Sequence, residues 1–208
     1  MSRTQHDDAP LGLREQKKRR TRIDLCMAAR RLTVERGFDA TTVDDIAAAV
    51  GVSARTFFNY YETKLDAVVG PVGEIGTPEA RRRFVEGGPT GVLVDDLAWL
   101  YGAGFEPESE AREAIALVTT IVGAESRVLA GFVAAGASQE TAFVDLLTER
   151  MGAGVSREFA LLAARLMTTL TMSAAAALTD DPEKTLVTAL REQCALAAQL
   201  FERPTEEP

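Results

Sequence analysis

Histidine is almost absent from this 208-residue chain. The single copy, His6, stands in the polar stretch "MSRTQHDDAP", so neither a His-based triad nor a zinc site of the usual kind can be assembled. Cysteine is nearly as scarce. Cys26 and Cys194 lie far apart, form no motif, and read as small buried hydrophobes of a reducing compartment. The chain is long enough to bury a core without disulfides or a metal. A phosphate-cradling loop is missing as well, because "GPVGEIG" at 70–76 has neither the spacing nor the strand context of one. The acid pairs Asp44-Asp45, Asp95-Asp96 and Asp180-Asp181 sit near expected helix starts, where capping explains them. The expectation is no enzyme, no metal and no cofactor. The N-terminus has no apolar stretch, hence no signal peptide. The most apolar segment, "FALLAARLMTTLTMSAAAAL" at 159–178, is broken by Arg165 and by Thr and Ser. It reads as a helix buried against other helices, with no membrane partner, and the protein is expected to be cytoplasmic.

Strand signals are also lacking, since no run of alternating β-branched residues is bounded by turns. What is present is helical periodicity, so the chain is expected to be all-α. Residues 1–13 read as a disordered tail. A first helix is expected from Arg14 to Arg36, with Leu25, Ala28, Ala29 and Leu32 inward and Gly37 ending it. Thr42 and Asp45 have capping-box spacing before Val43, Ile46, Ala47 and Val50, and Gly51 stops that short helix. Ser53 caps another over about Ala54–Tyr61, and a fourth covers 62–70. The Gly- and Pro-rich stretch 70–91 reads as a junction. Further helices are expected at 92–104, 108–122, 125–135, 138–151, 156–178 and 182–203. Gly123, Gly136 and Gly152 act as stops, and Asp181 with Pro182 opens the last helix.

Charge divides the chain unevenly. Residues 1–64 hold 12 Lys/Arg against 9 Asp/Glu, and the remainder holds 11 against 22. A basic head on an acidic body points to a polyanionic partner for the head. The sharpest basic cluster is "LREQKKRRTR", with Lys17, Lys18, Arg19, Arg20 and Arg22.

The aromatics are concentrated too. Four of the three Tyr and nine Phe fall within 57–61, inside "VSARTFFNYYETK". With Arg55 at zero on a helical wheel, Asn59 falls at roughly 40°, Thr56 at 100° and Tyr60 at 140°; Phe57, Tyr61 and Phe58 fall at roughly 200°, 240° and 300°. One face is polar and the other aromatic. Two short helices joined by Gly51-Val52-Ser53 match a helix-turn-helix, whose second helix enters the major groove of double-stranded DNA. Arg55 can pair with guanine, Asn59 with adenine, and Thr56 with a base or a thymine methyl. Thr42, Ser53 at the helix start, Tyr60, Lys64 and the basic cluster suit phosphates. A solvated amphipathic hairpin, or an adaptor binding protein through the same face, has the same spacing.

The run "TTVDDIAAAVGVSARTFFNYYETKLDAV" at 41–68 resembles the DNA-binding signature of the TetR family of transcriptional regulators. The matching positions are Thr42-Val43, Ile46-Ala47, Gly51-Val52-Ser53, Thr56-Phe57-Phe58, Tyr60-Tyr61 and Thr63-Lys64. Ala28-Ala29, Leu32 and Gly37-Phe38 match in the first helix. The resemblance covers about 14–70. Phe58 stands where many members have Tyr, Tyr60 where His is common, and Thr33 where a core aromatic is usual.

The resemblance implies a helix-turn-helix domain at 14–61, a connecting helix at 62–70 and a helical regulatory and dimerisation domain at 71–208. It implies a homodimer built from the last two helices, and so an inverted-repeat operator. It also implies a small ligand whose binding shifts the dimer away from DNA, with repression as the family default. A constitutive DNA-binding dimer without a ligand is the competing reading. Trp99, Tyr101, Phe105, Phe132, Phe143, Met167 and Met172 could line an apolar pocket for such a ligand, or be ordinary core. The stripe Leu186, Leu190, Cys194, Ala197 and Phe201 is the expected dimer contact of the last helix.

Overall fold

The computed structural model describes residues 13–71, 75–104, 108–152, 154–181 and 183–201, and all regular structure among them is helical. The expected tail, except Leu13, therefore lies outside the described residues, as do Phe105 and Pro182. The chain divides into two compact units, Met1–Pro71 and Val72–Pro208.

The first unit contains α1 (Leu13–Arg36), α2 (Val43–Val50), α3 (Ala54–Phe57) and α4 (Lys64–Val69). Only the second half of α1 has buried apolar residues, Leu25, Cys26, Met27, Ala28, Ala29 and Leu32, and these take the packing of α2 and α4. Its first turns are the exposed basic cluster. Side chains close the starts of the short helices. Thr42 and Asp45 exchange bonds reciprocally at α2, Thr63 and Asp66 do the same at α4, and the Ser53 hydroxyl accepts from the Thr56 amide at α3. Gly51 ends α2 in the left-handed region (φ 74°), which an L side chain rarely adopts. Thr33, in place of the usual aromatic, is buried with its hydroxyl donating to the Ala29 carbonyl at 2.7 Å.

The second unit runs α5 (Pro78–Val85), α6 (Leu93–Gly102), α7 (Glu108–Ala124), α8 (Ser126–Met151), α9 (Arg157–Asp180) and α10 (Leu186–Gln199). Three expected boundaries change. The 70–91 junction contains α5, because Thr77 caps it and Pro78 takes the first turn, where a missing N–H costs nothing. The helices expected at 125–135 and 138–151 are one, since α8 runs through Gly136, and a glycine there costs only about 1 kcal/mol. The last helix starts at Leu186 on a Thr185 cap, not at Pro182 on Asp181.

The core of this unit gathers Phe84 of α5, Leu97, Leu100 and Tyr101 of α6, Phe143 and Leu147 of α8, Ala160, Ala164 and Met167 of α9, and Leu186 and Leu190 of α10. A charged pair is buried beside it. Asp96 is fully buried and accepts from Arg150 at 2.6 Å, from the Thr90 hydroxyl at 2.7 Å and from the Thr90 and Gly91 amides. Arg150 also donates to the carbonyls of Phe84 and Gly87. Burial alone would raise the Asp96 pKa; the Arg150 and Thr90 bonds outweigh it and hold the carboxyl below its ordinary value. Gly88 has φ 75°, and a Cβ there would meet Asp96 Oδ2 at 1.9 Å, so the loop closes on the carboxylate only with glycine.

Candidate nucleic-acid interface

The turn between α2 and α3 is built as the spacing predicts. The Gly51 amide donates to Ala48 and the Val52 amide to Ala47, which brings Ser53 into capping position. Phe57 is fully buried, as is Ile46, and Ala47 is 1% exposed. Tyr61 is also buried, and its hydroxyl donates to the Arg22 carbonyl of α1 at 2.9 Å. The Phe57 and Tyr61 rings lie 5.9 Å apart. Burial pushes the Tyr61 hydroxyl well above its ordinary pKa, so it stays a neutral donor. These two aromatics fix the inward side of α3.

The outward side carries Arg55 and Asn59, both exposed, with Thr56 and Tyr60 half-buried. The Thr56 hydroxyl lies 2.9 Å from that of Ser53. Regular helix ends at Phe57. Asn59 and Tyr60 follow on tighter turns, their amides donating to Thr56 and Phe57 three residues back, so an eight-residue helix is not formed.

Phe58 departs from expectation. It is 57% exposed, and its ring meets Phe57 edge-on at 5.4 Å. The wheel carried the signal: at roughly 300° it lies about 60° from Arg55 but about 100° from Phe57. Phe58 therefore belongs with the outward residues.

The basic cluster is divided. Lys17, Lys18 and Arg20 are exposed, and Arg20 pairs with Asp24 at 2.9 Å. Arg19 is half-buried, and Arg22 lies over the Tyr61 ring at 5.8 Å. Thr42 is exposed, but its hydroxyl donates to Asp45 at 2.6 Å, and this bond with that of the Thr42 amide lowers the Asp45 pKa. Arg30, which sequence reasoning passed over, donates to the carbonyls of Val68 and Val69 and closes the end of α4. Its sequence signal is its place one turn after Cys26, on the inward side of α1.

Residues 25–66 match the family described as bacterial regulatory proteins, tetR family. This segment of the first unit, which holds the helix-turn-helix, is similar to that family. The HTH-type transcriptional regulator TcmR of Streptomyces glaucescens is 42% identical over 64 residues, which are 31% of this chain and 28% of TcmR. The likeness therefore spans under a third of TcmR. Among solved structures, a Rhodococcus sp. protein described as a TetR-family transcriptional regulator shares the fold at a TM-score of 0.51 and 14% identity, over 88% of this chain and 98% of that one. Thermus thermophilus FadR, a repressor solved with lauroyl-CoA, gives a TM-score of 0.47 at 22% identity, over 90% and 98%.

The pocket and dimer residues expected in the second unit are only partly brought together. Tyr101 and Phe143 are buried with rings 6.1 Å apart, and Met167 shares their core. Trp99, half-buried under Arg83, packs against the same core, and Phe132 is half-buried on α8. Met172 is 70% exposed on the outer side of α9, so it cannot line an interior pocket with the others. Of the dimer stripe, Leu186 and Leu190 are spent on the unit's own core and Cys194 packs against it, while Ala197 is half-buried and Phe201 exposed. A dimer surface needs side chains the fold leaves uncovered. On the last two helices they are Phe159, Leu162, Leu166 and Met172 of α9 and Leu196 of α10, with Leu200 and the expected Phe201 just beyond it. α9 was expected to be buried; it is covered on one side only, and by length and composition it is the one described helix apolar enough to cross a membrane.

Proposed function

We propose that this chain is a TetR-family, sequence-specific DNA-binding regulator that acts as a homodimer on an inverted-repeat operator. The observation that carries this reading is the two-sided helix-turn-helix. Phe57 and Tyr61 fix α3 from within, while Arg55, Phe58 and Asn59 stand together in solvent. Arg55 suits guanine, Asn59 adenine and Phe58 a thymine methyl; the exposed Lys17, Lys18 and Arg20 suit phosphates. The uncovered apolar sides of α9 and α10 support the homodimer, because an isologous contact buries the same patch twice. Such a dimer sets two α3 helices about one DNA turn, roughly 34–36 Å, apart. A water-soluble dimer of this kind acts in the cytoplasm.

The finer reading is a repressor released by a small lipophilic molecule that binds better to the form unable to grip the operator. It rests on the family likeness. The packing of Tyr101, Phe143 and Met167 into one another favours the second reading, a constitutive dimer with no ligand.

Selection of bound duplexes from random DNA tests the central claim. An inverted-repeat consensus is expected. Binding without sequence preference, or none, overturns it. Screening the selected complex against small apolar compounds separates the two finer readings, since release by one of them marks the repressor and a constitutive dimer keeps its duplex with all.

A further inference from the structure

Lys64, the first residue of α4, is expected from its spacing to meet a phosphate. In the structure its ammonium is turned onto the unit's own backbone. It donates to the Phe38 carbonyl at 2.6 Å and the Thr41 carbonyl at 2.8 Å, with the Asp39 carbonyl at 3.4 Å. It also lies 4.5 Å from the centre of the Phe38 ring. An ammonium has three protons and no acceptor, so these carbonyls use its whole bonding capacity. The charge is matched to partial negative charge on three sides and to the face of an aromatic ring on another. A phosphate could take Lys64 only by stripping those bonds.

The carbonyls belong to the short connection between α1 and α2. That connection leaves α1 at Gly37 and ends on Thr42, the cap of α2. Phe38 and Thr41 are buried, and the Thr41 hydroxyl donates back to the Gly37 carbonyl at 3.0 Å. The connection has no helical ladder of its own, so side chains must fix its path. The start of α2 follows from that path, and α3 packs on α2, with Ile46, Ala47 and Phe57 all buried.

We propose that Lys64 is a positioning residue and not a phosphate ligand: it clamps Phe38–Thr41 so that α2 presents the outward side of α3 in one orientation. The role in recognition rests on the DNA-binding reading above; the clamp itself does not. The chemistry predicts an unusual intolerance. A phosphate contact survives exchange of Lys for Arg, often improved. Carbonyls converging on one compact ammonium do not accept a planar guanidinium on a longer stem.

The test uses the full chain and its selected duplex with Lys64→Arg and Lys64→Met. Affinity is measured across salt concentrations, and amide exchange is measured over residues 38–45. Both variants are expected to bind about tenfold or more weakly, with the wild-type salt slope. Faster exchange at 38–45 is expected in both. Wild-type affinity for Lys64→Arg overturns the proposal. So does a slope that falls by about 0.9 in Lys64→Met while Lys64→Arg keeps it, since that is the loss of one phosphate contact. If the unmodified chain selects no duplex, the proposed function fails separately. The exchange measurement then decides alone: faster exchange supports the clamp, and unchanged exchange overturns it.

Discussion

The two units are inverted relative to one another in what they hide and what they show. The first hides aromatics, Phe57 and Tyr61, and shows Arg55, Asn59 and the lysines of α1. The second hides a charged pair, Asp96 with Arg150, and shows Leu162, Leu166, Met172 and Leu196. Each exposed side names the partner that would cover it. A cationic, hydrogen-bonding side suits a polyanion with base edges. An apolar side on long helices suits another apolar side. The buried Phe57 and Tyr61 hold the first exposed side still, while the buried pair of the second unit ties α6 and α8 to the loop at 87–91.

The sharpest way to break this contrast is to empty the buried charge site. Asp96→Ala leaves Arg150 in place with no carboxylate and strands the Thr90 and Gly91 amides. Removing one partner of a buried pair costs about 3–5 kcal/mol. Thermal or urea unfolding should show that loss, and a loss below about 1 kcal/mol would mean that water already reaches the pair. Next in size is the opposite manipulation, a charge placed on the apolar side. Leu166→Glu with Leu196→Glu should cost about 2–4 kcal/mol of association and leave a folded monomer by light scattering. A double variant that remains a dimer places the interface elsewhere.

The same inversion explains what could be read from the residues alone. In the first unit the interactions that shape the turn are local: Thr42 reaches Asp45, Ser53 reaches Thr56, and Gly51 sits where the turn needs it, while the distant bonds of Arg30 and Lys64 were not legible. Periodicity placed Phe57 and Tyr61 inward correctly. Phe58 was misplaced by its apolar character, although its wheel angle lies nearer to Arg55 than to Phe57. In the second unit the deciding interactions join distant residues. Asp96 and Arg150 are 54 positions apart, and Arg112 reaches the Leu178 carbonyl 66 positions away. No spacing rule couples such pairs, so Asp95-Asp96 looked like ordinary helix-start acids. The apolar stripe of α10 was visible, but periodicity cannot say whether a stripe faces its own core or a second chain. Leu186 and Leu190 face their own core.

Two predictions sharpen the first unit's side of the contrast. Arg55→Ala should weaken operator binding by about 1–3 kcal/mol and relax the preference at one base pair. An equal loss on all sequences would instead make Arg55 a phosphate contact. Phe58→Ala should cost about 1 kcal/mol, the worth of a buried methyl contact. Replacing operator thymines by uracil should reproduce that loss at one position in the wild type and add nothing in Phe58→Ala. If uracil costs both proteins equally, the Phe58 ring does not meet a thymine methyl.

The smallest effect concerns the exposed cap of α2. The bonds from the Thr42 hydroxyl and amide hold the Asp45 pKa below that of the unfolded chain. A carboxyl whose pKa is depressed by folding contributes stability that is complete above its unfolded value, about 3.9, and is lost as pH falls through the lower, folded value. Asp45→Asn removes the charge that makes this bond strong. The variant should therefore melt slightly lower than the wild type at neutral pH, and the two curves should converge once the solution is acidic enough to protonate Asp45. A difference that persists unchanged into strong acid would show that Asp45 acts by shape and not by charge. Because the neighbouring Thr63–Asp66 box has the same residues and spacing, the matching Asp66→Asn variant provides an internal comparison at α4. There Lys64 follows the cap directly, so a cap loosened at α4 should also loosen the clamp on Phe38–Thr41 and reduce duplex affinity, which Asp45→Asn reaches only through α2.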